Sequence, residues 1–390
     1  MARNALAEEI LALTSALVKV DSVMGKEGPC AGVLMGYFNG KGVPAWLQEV
    51  EPNRFNVIAG SDDHKPALLL NGHMDMVDTA DGWSTADPYT VEVIDGAMIG
   101  TGVGNMKAGL AAMAVATAHA WHSGAHDVAF LGVVGECSEL GLGTKHYLAD
   151  GGSARFAVVG EPTGMAAQQT HTGTYQAHVS FTGIAVHTGE SENGVNAVEA
   201  AARFVLDIKR AKLAPPGTGP FEGTPRAMPG RMTGGFYAQI SAPEASVWVD
   251  VRIPPGVDER QIESALDTVA AQAAASVSAS DASANWKRAS LAYEPAYSMS
   301  PEAKPFLDQL AQSYERVVGS DLAFGFATPA NRFFATDAAH LQAAGVPSIV
   351  FGPGVWTVGP DEAVSLDEAA NYAATLIELA ASVATTGVQQ

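Results

Sequence analysis

Residues 67–78 read ALLLNGHMDMVD. Four apolar residues run straight into Asn71, Gly72 and His73, with Asp75 just beyond. An apolar run without polar alternation fits a short strand buried on both faces. A glycine then lets the chain leave the strand, and a histidine and a carboxylate stand at its exit. The arrangement recurs downstream. Residues 102–107 read GVGNMK and lead into an alanine-rich segment, Met106 to Trp121, that predicts a buried helix. Val128 to Val134 (VAFLGVV) runs into Gly135-Glu136-Cys137-Ser138-Glu139, and Phe156 to Val159 (FAVV) runs into Gly160-Glu161-Pro162-Thr163. Apolar strands alternating with helices predict an α/β domain with a largely parallel sheet. In such a domain the loops at strand ends carry the chemistry.

Beyond residue 172 the texture changes. TYQAHVSFT (174–182) and SVWVDVRI (246–253) alternate polar and apolar residues, as half-buried antiparallel strands do. Trp286 to Tyr293 predicts a further strand. Helices are predicted over Ala197 to Lys212 and Gln261 to Ser276, and a loop over the Pro- and Gly-rich Ala214 to Pro229. From about residue 300 the α/β pattern returns, with a helix from Glu302 to Val318, a short strand PSIVF (347–351) and a last helix from Leu366. The expected architecture is a discontinuous α/β catalytic domain, residues 1–172 and 295–390, interrupted by an α+β lid or dimerisation domain over 173–294.

Composition narrows the function. The chain has 390 residues, is 47% hydrophobic and carries 22 basic against 42 acidic side chains. That shortage of Lys and Arg argues against nucleic-acid or anionic-membrane partners, which need a basic footprint. The N-terminal stretch reads as an amphipathic helix rather than a targeting segment. Two cysteines, Cys30 and Cys137, make no disulfide framework, and a cytoplasmic setting is the expectation.

The loops described above resemble, together with three later segments, the M20 family of metallopeptidases and deacylases. Its members include aminoacylases, acetylornithine deacetylases, succinyl-diaminopimelate desuccinylases and glutamate carboxypeptidases. NGHMDMVD, GTGVGNMKAGLAAM and VVGEPTG carry the resemblance in the first half of the chain. GIAVHTGESENGVNAVEAA, VWVDVRIPPG and ATDAAHLQAAGVPSIVFGPG carry it in the second. The resemblance implies two zinc ions bridged by a carboxylate and a water. His73 and Glu161 stand at ligand positions, but Asn105 replaces the bridging acid and Val358 falls where a second histidine is expected. In the third loop an ungapped match, which keeps Gly143 in place, puts Cys137 at the general-base position and Ser138 at a ligand position. A one-residue shift keeps Glu136 as base and makes Cys137 the ligand. Both matches stay open on sequence.

Two divalent ions facing neutral His73, neutral Asn105 and one carboxylate would be poorly compensated. The expected cofactor content is therefore none, or at most one weakly bound zinc per chain on His73 and Glu161. A Cys137–His73–Asp75 constellation is the metal-free alternative. On the substrate side, the resemblance implies that Arg252 grips a carboxylate, with Gln239 at the place of the family's asparagine. It also implies that His187 polarises the scissile carbonyl and that Asp337 and the FGPG loop wall the pocket. Asn105 and Lys107 are further substrate-binding candidates, Lys107 with a structural role as its alternative.

The expected function is an enzyme acting on an amide or acyl bond of a small carboxylate-bearing substrate, an N-acyl amino acid or dipeptide, without the usual paired-zinc mechanism. A homodimer is expected. The alternatives are a non-catalytic binder of an amino-acid-like ligand, or a non-hydrolytic reaction (acyl transfer, elimination, decarboxylation) in the same pocket.

Overall fold

The computed structural model describes residues 3–386 apart from 64, 80, 138, 218–220, 222, 280–281, 327–330 and 358. The chain divides into two compact units. The first comprises Met1–Gln169, Ser298–Arg332 and Thr336–Gln390; the second comprises Thr170–Tyr297 with Phe333–Ala335.

The first unit is built on a six-stranded sheet. Its order is Ala45–Glu51, Arg54–Gly60, Val128–Val133, Leu68–His73, Ala157–Val159 and Ser348–Val350. The last four strands run parallel, and the first two join antiparallel. Leu68–His73 and Val128–Val133 are buried along their whole length, as their unbroken apolar runs require. Leu110 and Met113 of the helix Ala108–His122, and Leu376 and Leu379 of the helix Leu366–Thr386, share one core with Leu68, Leu70 and Phe130. The helix expected from Met106 begins at Ala108 instead, because residues 103–107 form an irregular tight turn with Asn105 and Met106 outside helical geometry.

Glycine at 72 has a packing reason. A Cβ there would lie 2.5 Å from Met113 Cε and 2.6 Å from Met106 Cε, so both methionine side chains would have to move to admit one.

The second unit is a four-stranded antiparallel sheet in the order Arg226–Gly234, Glu244–Ile253, Gly173–Thr182 and Asn285–Glu294. The helices Ala197–Ile208 and Glu259–Ala275 share its core, with Phe204, Ile262 and Leu266 meeting Val179, Phe181, Val247 and Val249. Asn196 starts the first helix by accepting the Val198 N–H, and Asp258 starts the second in a capping box with Gln261. The strand Arg226–Gly234 corrects the expectation of a loop through Pro229. Pro229 and Gly230 conceal the alternation, and the ladder shifts register between Pro229 and Arg231. The strand lies at the sheet edge, where proline is tolerated. Among the described residues no helix is long and apolar enough to cross a membrane.

Candidate active site

Parallel pairing assembles the site in the first unit. His73 pairs with Val133, and Asn71 pairs with Val159. The loops after Val133 and Val159 therefore emerge on either side of the strand that ends in His73. This is how α/β sheets bring distant residues together at the carboxyl ends of their strands. His73 is 1% exposed. Its Nδ1 lies 2.8 Å from the Asp75 carbonyl oxygen, to which the Nδ1–H donates, so Nε2 is turned toward the loops. Nε2 lies 3.2 Å from Asn105 Oδ1 and 3.6 Å from Glu161 Oε1. The ligand atoms of His73, Glu136 and Glu161 all fall within 4.8 Å of one another. Burial opposes charge on the His73 ring, but Cys137, Glu161 and Glu136 around it more than offset this and raise its pKa well above the ordinary value. The cluster is thus a place that favours a cation, whether a proton or a metal.

Asp75 does a different job from the one expected. Its carboxylate oxygens accept the backbone N–H groups of Glu136 at 3.1 Å and Cys137 at 2.9 Å, which pins the third loop beside His73. His73 Nδ1 is 3.6 Å from that carboxylate and closer to the Asp75 carbonyl. His73, Asp75 and Cys137 do lie together, with Cys137 Sγ 3.8 Å from Nδ1. The hydrogen bonding weighs against a Cys137–His73–Asp75 relay. An Nδ1 that donates to a carbonyl has no lone pair for the thiol proton, and burial pushes the Cys137 thiol well above its usual range. Ser138 and Val358 lie outside the described residues.

Glu362 is a member of this neighbourhood that the sequence analysis did not single out. Its carboxyl is buried against the turn at 102–105, where the backbone N–H groups of Gly102, Gly104 and Asn105 favour its charged form. Burial outweighs them and raises its pKa to about 7. The signal lay in the PDE segment (360–362), an acid placed after a Gly-Pro turn.

Lys107 departs from the pocket-cation reading. It is 1% exposed, and its ammonium faces the Val20 carbonyl at 3.4 Å and Met76 Sδ at 3.5 Å. The protein interior engages the charge, which is the structural alternative. Asp337 is buried at the start of the short helix Ala338–Ala343, whose His340 donates from Nε2 to the Leu140 carbonyl at 2.9 Å.

The other candidates belong to the second unit. His187 and Gln239 are exposed, and their segments meet as backbone neighbours, with the Thr188 N–H donating to the Gln239 carbonyl at 2.9 Å. The His187 ring accepts the Gly189 N–H through Nδ1 at 3.1 Å. Arg252 projects from the strand Glu244–Ile253, and its Nε–H donates to Asp250 at 2.8 Å.

The chain is similar to several known proteins. It is 27% identical to an N-formyl-4-amino-5-aminomethyl-2-methylpyrimidine deformylase of Halalkalibacterium halodurans, over 95% of this chain and 93% of that protein. A probable succinyl-diaminopimelate desuccinylase of Staphylococcus epidermidis is 28% identical over 212 residues, 52% of this chain, and the match spans only about half (51%) of that relative's length. Two solved structures share the fold. A tripeptidase from Staphylococcus aureus superposes with a TM-score of 0.75 at 20% identity, covering 97% of this chain and 99% of that one. An M20 family metallo-carboxypeptidase from Sulfolobus solfataricus gives 0.77 at 14% identity, with the same coverage. The family model described as peptidase family M20/M25/M40 matches residues 69–382, which include all but the first residue of the strand Leu68–His73, every later strand of the first sheet and the whole second unit. By this match the chain belongs to peptidase family M20/M25/M40.

Proposed function

We propose that this protein hydrolyses an amide bond in a small carboxylate-bearing substrate, an N-acyl amino acid or a dipeptide, and that it uses a single divalent ion rather than a pair. The observation that carries the reading is the convergence of His73, Glu136 and Glu161 beside Asn105. His73, Glu161 and the Asn105 carbonyl would make three protein donors, the number found in catalytic zinc sites with an open fourth position, while Glu136 stays off the ion as a base and its charge helps balance the divalent ion. The Asp75 carbonyl on Nδ1 is the kind of outer contact that fixes a metal-binding histidine. A second ion does not fit this donor set. Asn105 offers a neutral carbonyl where a bridging carboxylate is needed, and the Asp75 carboxylate is occupied by two backbone N–H groups.

When bound, such an ion would polarise the substrate carbonyl and supply a nucleophilic water at neutral pH. The chain's own residues do the rest. Glu136, less buried than Glu161, is placed to take a proton on its carboxylate and return it to the leaving nitrogen. Asp75 holds Glu136 in position through the backbone. In the second unit, Arg252 is the candidate to bind a substrate carboxylate, and His187 and Gln239 are the candidates to polarise and orient an amide. A homodimer in the cytoplasm, with no nucleic-acid or membrane partner, belongs to the same reading.

The test is a panel of N-acyl amino acids and dipeptides with and without chelator, beside metal analysis of the purified protein. The expected result is one ion per chain and turnover that chelator abolishes. Two tightly held ions, or turnover indifferent to chelator, would sink the single-ion reading.

A further inference from the structure

The edge strand Arg226–Gly234 places a second basic side chain beside Arg252. The antiparallel register pairs Arg226 directly with Arg252, so the two side chains leave the same face of the sheet. That face lies opposite the buried Val247, Val249, Val251 and Ile253. Like charges directly opposed across a ladder destabilise it. They occur here in a chain with only 22 basic residues against 42 acidic ones.

The pair is gathered onto one residue. The Arg226 guanidinium lies 3.5 Å from the centroid of the Phe333 ring, and Arg252 Nη1 donates to the Phe333 carbonyl at 3.4 Å. Phe333 belongs to this same unit and packs edge-on against the buried Phe221, at 5.9 Å between centroids. Asp250 takes the Nε–H of Arg252 and the Phe333 carbonyl takes one N–H of Nη1, so the donors of Nη2 remain for a ligand. Among the described residues Arg226 has no ion pair. Two guanidiniums against one carboxylate leave one positive charge over, at a point where the side chains are oriented by stacking and by an acid.

We propose that Arg226 and Arg252 form a clamp for a single carboxylate, and that Arg226 sets the specificity of this protein for substrates ending in a free carboxylate over their esters and amides. The proposal rests on the function proposed above only in taking Arg252 as the residue that meets the substrate. Each guanidinium presents parallel N–H donors to a carboxylate oxygen. The aromatic face under Arg226 keeps that guanidinium planar against the ring without consuming those donors. A neutral ester would leave the like-charged pair uncompensated, which is the kind of loss that gives strong discrimination.

The test reads binding. N-acetylalanine and its methyl ester are titrated calorimetrically into the full chain, as wild type, Arg226→Gln, Arg252→Gln, the double variant and Arg226→Lys. Thermal melts of the same proteins accompany the titrations. The acid is expected to bind better than the ester. Each glutamine variant loses about tenfold or more for the acid and little for the ester. The double variant loses less than the product of the two single losses, because one carboxylate is shared. Arg226→Lys recovers part of the loss, and Arg226→Gln melts higher than wild type without ligand, because a like-charge contact is gone.

Acid binding by Arg226→Gln equal to that of wild type overturns the clamp. So does a wild type that does not distinguish acid from ester, and so does a double variant whose losses multiply, which would mean two separate anion sites. Clamp behaviour in a protein that hydrolyses nothing overturns the proposed activity instead and leaves the clamp in place.

Discussion

The cluster around His73 and the arginine pair on the second sheet are built by opposite means. The first sits at the ends of three adjacent parallel strands, and its residues come from loops distant in sequence. It is acidic and buried, and its geometry depends on hydrogen bonds from other loops, such as the Asp75 carboxylate holding residues 136 and 137. The second comes from two rungs of one antiparallel ladder, is basic, and stands on a sheet face away from the core. A buried polar cluster is bound into the stability of the fold, because each charge removed leaves a partner unpaired in a low dielectric. A surface ladder pair can be altered with little cost to the fold. The two sites should therefore answer mutation differently.

The largest effect expected is in the buried cluster. His73→Ala removes the only ring nitrogen from the donor set. It should weaken zinc binding by more than the roughly 100-fold typical of losing an outer contact, and abolish turnover. Equilibrium dialysis against zinc and a single-turnover assay measure the two separately; unchanged zinc affinity would break the assignment of the cluster.

Next comes Arg54→Met, in the network beneath the third loop. Arg54 bonds to Glu27, which is fully buried, through Nη2 at 2.7 Å and Nε at 3.0 Å, and its guanidinium also pairs with Glu139, close to Glu136. Leaving Glu27 unpaired should cost about 3–5 kcal/mol in urea unfolding. Arg226→Gln should stay within about 0.5 kcal/mol by the same measurement. Equal costs at the two positions would erase the contrast drawn above.

Glu362 gives the pH dependence. Its pKa is raised from 4.5 to about 7 by burial, so between those values the folded protein keeps a proton that the unfolded chain has released. The associated stability is present below about 4.5 and is lost as pH rises through about 7. Glu362→Gln should match wild type near pH 4.5. It should be more stable by up to about 3 kcal/mol at pH 8, in chelator-treated protein. Denaturation midpoints across that range would show it, and parallel curves for the two proteins would contradict it.

The smallest effect is expected at Cys137. Cys137→Ser should keep turnover within about tenfold, because the thiol is neither ionised nor served by a base. Alkylation of Cys137 at neutral pH should be slower than that of a free thiol in solution. Loss of all turnover in Cys137→Ser would restore the thiol mechanism.

Much of the fold was legible because its signals are local. The apolar runs at 68–70, 128–134 and 156–159, each bounded by turn residues, fit strands buried on both faces, and the alternation at 174–182 and 246–253 fits half-buried ones. The strand Arg226–Gly234 was not legible, because proline and glycine interrupt its period. Their positions after such runs singled out His73, Glu136, Cys137 and Glu161, and the resemblance to family M20 supplied the alternative roles at Glu136 and Cys137. Choosing among roles needed the hydrogen bonds.

The sequence by itself determined which residue types are available for chemistry: a histidine and two glutamates at strand exits, an asparagine where the family resemblance implies a bridging acid, and an arginine on an alternating strand. Those are properties of single positions and their immediate neighbours. Tertiary structure decided how the residues are used. It brought the Asp75 carbonyl to Nδ1 and its carboxylate to the next loop, closed Lys107 into the interior, cradled Glu362 on the turn at 102–105, and set Arg226 opposite Arg252. The reason is that donor direction, burial and strand register arise between segments far apart in the chain, and no local pattern of residues encodes them.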